Sequence, residues 1–151
     1  MLNRLRDVFA SLQSHDVRYV VIGGIAAVLH GVPRATFDLD ILIDPTIPNA
    51  ERLLQALHAT GFGTADLIDA HRLLKNEITV FNDRVRIDVL TSTPGLLFSD
   101  AWDRRQTMEF QQQQFFVASR QDVIDSKKAA GRSRDLEDVR VLEQGTENLP
   151  Q

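Results

Sequence analysis

Apolar residues recur at Leu2, Leu5, Val8, Phe9 and Leu12, a helical spacing that predicts an opening helix over 2–14. Segment 17–22, rich in Val and Tyr, reads as a buried strand, and Gly23-Gly24 ends it. The small residues of 24–30 predict a short helix, closed by Gly31-Val32-Pro33. Strict alternation follows. Phe37, Leu39, Ile41 and Ile43 fall on one face, with Asp38, Asp40 and Leu42 on the other, which predicts a strand over 37–43 with one buried face. Asp44-Pro45 breaks it, and Ala50, Leu53, Leu54 and Leu57 mark a helix that stops at Gly61. A further helix is expected over 65–74. Segments 77–81 and 84–90 read as two strands joined at Asn82-Asp83 by a tight hairpin. In the second of these, Val85, Ile87 and Val89 oppose Arg84, Arg86 and Asp88. A helix over 94–104 and short strands over 107–110 and 114–118 come next. Ser119 and Asp122 form a capping pair for a helix to about Ala130, and a last helix covers 134–143. Strands and helices mix and one hairpin is antiparallel, so the expected class is α+β, or mixed α/β, with a mixed sheet flanked by helices. The pattern predicts one domain over 1–146 and a C-terminal tail over 147–151.

Composition narrows the class of protein. The chain has 151 residues, 43% hydrophobic and 25% charged, the profile of one ordinary globular domain. It has no cysteine, which excludes disulfide frameworks, thiol catalysis and Cys-based zinc or iron–sulfur sites. Seventeen Lys and Arg against 21 Asp and Glu give a net charge of −4, so no global basic field exists to coat nucleic acid. Apolar runs fall far short of the ~20 residues of a membrane helix. The charged, amphipathic N-terminal segment lacks a secretory apolar core. The expectation is a soluble cytoplasmic protein with no membrane association.

The chemistry concentrates between Gly23 and Ile43. Asp38 and Asp40, two apart on a strand, point the same way with bases about 7 Å apart. Carboxylates so placed can converge on paired divalent ions about 3.5–4 Å apart, the arrangement of two-metal phosphoryl transfer. Mg²⁺ takes few protein carboxylates and leaves its other positions to water and phosphate oxygens. A Gly-Gly turn between strand and helix brings backbone N–H groups close to a phosphate. No Walker A loop, Gly-x-Ser-x-Gly elbow or His-Glu-x-x-His motif occurs, so ATPase, α/β-hydrolase and zincin chemistry lack support. The four histidines show no paired metal spacing, and His30 reads as structural.

Gly23-Gly24 followed by Arg34-x-Thr36-x-Asp38-x-Asp40 and apolar residues resembles the DNA polymerase β-type nucleotidyltransferase superfamily. The wording His30-Gly31-x-x-Arg34-x-Thr36-x-Asp38-x-Asp40 is similar to the small bacterial group related to AbiEii-type toxins. The likeness continues loosely through Lys127, Lys128, Arg132, Arg134, Asp135 and Asp138. It implies a polymerase β-like fold and an enzyme that moves a nucleoside monophosphate from an NTP to an acceptor hydroxyl of RNA, protein or a small molecule. On that likeness Asp38, Asp40 and Asp88 hold two Mg²⁺ or Mn²⁺ ions, and Asp88 helps take the acceptor proton. Gly23 and Gly24 seat the triphosphate through backbone alone, while Arg34, Thr36, Lys128 and Arg132 are candidate nucleotide contacts. A toxin–antitoxin or phage-defence pairing is implied as well.

Two other readings use the same residues: a nucleotide- or RNA-binding relative without turnover, and an antitoxin-like interaction protein with the fold as scaffold. Lys128 and Arg132, four apart, are expected to share a helical face. With little chain left for a dedicated acceptor domain, a homodimer or a partner chain is expected to complete the cleft.

Overall fold

The computed structural model describes residues 2–147, so all of the expected C-terminal tail except Glu147 lies outside the described residues. One six-stranded mixed sheet organises the chain, in the order β3-β4-β2-β1-β6-β5. These strands are β1 (Tyr19–Ile22), β2 (Leu39–Ile43), β3 (Ile78–Asn82), β4 (Arg86–Leu90), β5 (Gln106–Phe110) and β6 (Gln113–Val117). β1 runs antiparallel to β2 and parallel to β6, β2 runs parallel to β4, and the β3–β4 and β5–β6 pairs are antiparallel. All four residues of β1 are buried, as a strand covered on both faces requires.

The helices supply that cover. α1 (Arg6–Ser14) packs on α3 (Ile47–Ala59) and β6, and α3 also packs on α4 (Ala70–Lys75). α2 (Gly23–Leu29) lies on β1 and β2 and meets α6 (Arg120–Ala130), which pairs with α7 (Ser133–Glu147). α5 (Phe98–Asp103) packs on β1. The expected α+β, or mixed α/β, class with a mixed sheet flanked by helices is the one observed. Thr46 caps α3 by accepting from the Asn49 amide at 3.3 Å, and Ser119 caps α6 through the Asp122 amide at 3.1 Å, which bears out the capping pair. Gly131, at φ +69°, ends α6 in the left-handed conformation. Among the described residues no helix is long and apolar enough to cross a membrane.

Local departures have identifiable causes. β2 begins at Leu39, where pairing with β4 starts, so Phe37 lies outside the strand and is 68% exposed rather than on its buried face. Asn82 pairs with Arg86, which leaves a three-residue turn over 83–85 in place of a two-residue hairpin. Asp69 caps α4 and splits the expected 65–74 helix from a 3₁₀ turn at Gly63–Leu67. Pro94-Gly95 forms a turn closed by a Thr93–Leu96 bridge, so α5 starts only at Phe98.

Candidate active site

Strand register brings the carboxylates together. Ile22 faces Asp40 across β1–β2, Asp40 faces Asp88 across β2–β4, and Asp88 faces Val80 across β3–β4. Asp40 and Asp88 are therefore side by side on adjoining parallel strands, neighbours in space from positions 48 apart in sequence. Asp38 precedes β2 on the Asp40 side and is exposed. Like charges directly opposite repel. Burial, then the charges of Asp88 and Asp38, push the Asp40 carboxyl up to about 7, with Arg86 pulling the other way. Arg86 forks Asp88 with bonds of 2.9 and 3.3 Å.

The Gly-Gly turn sits against this pair for a steric reason. Gly23 adopts φ +70°, and a Cβ there would collide with the Asp40 carboxylate. A Cβ on Gly24 would come within 3.0 Å of Thr36 Oγ1 and 3.4 Å of Arg34 Nη2. Two glycines thus let the segment leading into β2 close over the start of α2, with bare backbone beside the carboxylates.

Opposite stands a cationic wall from the α6–α7 hairpin. Lys127 is buried, its ammonium 2.9 Å from Asp138 and 3.5 Å from Asp135. Arg34 reaches Asp138 through Nη2 at 2.7 Å and Nε at 3.2 Å, and Arg132 reaches Asp135 at 2.6 Å. Burial alone would raise the Asp135 and Asp138 carboxyls, but hydrogen bonds from these cations outweigh it and hold both below the usual range. Three cations against two carboxylates leave this wall one positive charge in excess. Arg134 adds another, with no ion-pair partner among the described residues.

The two walls enclose a cleft of about 310 Å³ lined by Gly23, Gly24, Arg34, Thr36, Asp38, Asp40, Asp88 and Arg132. Of the candidate site residues, Lys128 alone is not among those lining it. Its ammonium pairs with Glu143 at 2.7 Å, because Gly131 ends α6 and breaks the helical spacing that was to align Lys128 with Arg132. Lys127 and Arg134 line the cleft instead. Lys127 falls four residues after buried Val123, so the apolar phase of α6 already marked it as inward. Arg34 spends two donors on Asp138, so it ties α7 to the loop before β2. His30 meets the structural expectation, its Nε2 lying 2.8 Å from the Ala118 carbonyl oxygen.

The model of a family described as nucleotidyltransferases of unknown function, DUF6036, matches residues 2–144. The chain belongs to that family. Its membership supports the nucleotidyltransferase part of the resemblance, while the AbiEii toxin-like subgroup goes beyond what the match names. A crystal structure from Thermotoga maritima, provisionally described as a nucleotidyltransferase, superposes on this family member with a TM-score of 0.61. The superposition covers 97% of this chain and 93% of that one at 17% identity, a likeness of fold. No match is found among curated proteins.

The residues present fit a hard divalent ion. The donors are carboxylate oxygens, and such an ion would relieve the repulsion from Asp88 and Asp38 that adds to burial in raising Asp40. Among the described residues no group of three acidic or histidine side chains is arranged to hold a metal ion, and Asp88 accepts from Arg86 through both oxygens.

Proposed function

We propose that this protein is a metal-dependent nucleotidyltransferase. The observation that carries the reading is the cleft itself: an anionic wall of Asp38, Asp40 and Asp88 facing a cationic wall of Lys127, Arg132 and Arg134, with a bare Gly-Gly turn between them. That pattern complements a triphosphate carrying divalent ions. Asp38, Asp40 and Asp88 would hold Mg²⁺ or Mn²⁺, which when bound neutralises phosphate charge and makes an acceptor hydroxyl more acidic. The cationic wall binds and orients the triphosphate, and the Gly23-Gly24 backbone allows its close approach. In the reaction the acceptor oxygen bonds to the α-phosphorus and the α–β anhydride bond breaks. Pyrophosphate leaves with the bonding electrons, and the hydroxyl proton passes to Asp88, which must exchange its Arg86 contact to act. The toxin-like resemblance adds an RNA or protein acceptor within a toxin–antitoxin or defence pair to this reading.

The Arg86 fork favours one alternative, a nucleotide-binding relative without turnover. Thermal shift beside pyrophosphate release decides between them. Millimolar Mn²⁺ or Mg²⁺ with NTP is expected to raise Tm, because a ligand bound only by the folded state stabilises it by mass action. Asp88→Asn should keep part of that shift while losing at least about 10²-fold in transfer. Asp38→Asn combined with Asp40→Asn should abolish both. A wild type with the shift but no pyrophosphate release belongs to the alternative, and one without any shift refutes both readings.

A further inference from the structure

A second cavity, of about 240 Å³, adjoins the cleft. It is lined by Arg4 from the first turn, by Phe37 and Asp38, and by Asn82, Arg84 and Arg86 from the β3–β4 hairpin. Asp38 lines both cavities, and Arg86, which forks Asp88 of the cleft, lines this one, so the two meet at the carboxylates.

Its chemistry is distinctive. Phe37 is a large apolar ring 68% exposed immediately before Asp38. Three arginines outnumber the two carboxylates of Asp38 and Asp83, and Asp83 accepts from Thr64 at 2.7 Å. Arg84 is fixed by the Asp7 carboxylate and the Thr60 and Arg4 carbonyls, which tie the hairpin to the first turn. The Arg4 guanidinium and the Asn82 amide have no side-chain partner among the described residues. An exposed ring with guanidiniums and an amide beside it suits a nucleotide of a single strand: the base stacks on the ring, a phosphate meets the cation, and the amide reaches a base edge.

Resting on the nucleotidyltransferase reading above, we infer that this cavity seats the 3′-terminal nucleotide of a single-stranded nucleic-acid acceptor. Its base lies on Phe37 and its phosphate on Arg4, and its terminal hydroxyl is presented between Asp38 and Asp88. That oxygen then bonds to the α-phosphorus of the NTP in the adjoining cleft, its proton passing to Asp88 as pyrophosphate departs.

The test measures anisotropy of a short 5′-fluorescein RNA with a free 3′ end on the full chain in Mg²⁺, beside the NTP-induced thermal shift. Phe37→Ala is expected to weaken RNA binding about tenfold, and Phe37→Tyr to restore it. Phe37 is exposed, so neither change endangers the fold. With one phosphate contacted, log affinity should fall against log salt with a slope of about −0.7. The NTP-induced shift should survive in Phe37→Ala, so failure of the acceptor site is distinguishable from failure of the nucleotidyltransferase reading, in which the wild type lacks either that shift or pyrophosphate release. Equal RNA affinity in wild type and Phe37→Ala overturns the inference. So does a wild type that binds no RNA but transfers nucleotide to a protein hydroxyl.

Discussion

Asp40 lies in register with Asp88 and in the field of Asp38, and burial together with those charges pushes its carboxyl from 3.8 to about 7. The sign of the consequence is fixed. Unfolded, the group ionises near its ordinary value, so between the two values the folded state binds more protons and stability falls as pH rises. The full cost is present above pH 7. Asp40→Asn keeps the shape and removes the ionisation. In EDTA at pH 8 it is expected to melt about 4–8 °C above wild type, a gain on the order of 2 kcal/mol. Near pH 4 the two proteins should coincide. With Mg²⁺ and NTP the order should invert, since the variant has lost a ligand to the ion. Tm against pH for both proteins checks this: parallel curves from pH 4 to 8 would mean that no crowding penalty exists. The carboxylate that makes the site costly to fold is, on this account, the one that makes it bind.

At the scale of elements, the α6–α7 hairpin is held to the rest of the site by charge as much as by apolar packing. Lys127 is buried between Asp135 and Asp138, and its removal would leave two desolvated carboxylates with only Arg34 and Arg132 to neutralise them. Breaking such a buried pair costs on the order of 3 kcal/mol. Lys127→Met should therefore lower Tm by about 6–12 °C, read by calorimetry. Lys128→Met, whose partner Glu143 is half-exposed, should change Tm little. If both variants melt alike, the buried network contributes nothing special. The same pair shows what the amino-acid order made legible. The β2 and β4 alternations placed Asp40 and Asp88 on strands, and the Gly-Gly turn lay beside them, because those features are local. Which of two adjacent lysines turns inward depended on the helix phase and on where Gly131 stops α6. Their counter-ions lie on a separate helix. Phe37 was misplaced because alternation marks a face only where a neighbouring strand exists, and pairing starts at Leu39.

Across the whole molecule the site joins parts of unequal stability. β1 and β2 lie in the middle of the sheet and are almost wholly buried, so they should open only with global unfolding. α7 packs chiefly on α6, leaves Leu136 and Val141 exposed, and is tied back through Asp135 and Asp138. Of its apolar side chains, Val139 and Leu142 join the core while Leu136 and Val141 do not, so local opening should cost less here than in the central strands. Yet Arg132, just before α7, and Arg134, in its first turn, line the cleft where a triphosphate would sit. A ligand bridging the strand carboxylates and these arginines must then stabilise α7 more than it stabilises β1, because binding energy protects the elements that contribute to it and would otherwise open. Hydrogen exchange followed by mass spectrometry can resolve the two. In the free protein, α7 amides are expected to exchange well before those of β1 and β2. Mg²⁺ with NTP should slow α7 at least about tenfold, while β1 changes only with global stability. Lys127→Met should speed α7 exchange and weaken that protection. If α7 is as protected as β1 without ligand, or if ligand protection bypasses α7, then the hairpin is a fixed wall and the cationic side of the cleft takes no part in holding the nucleotide.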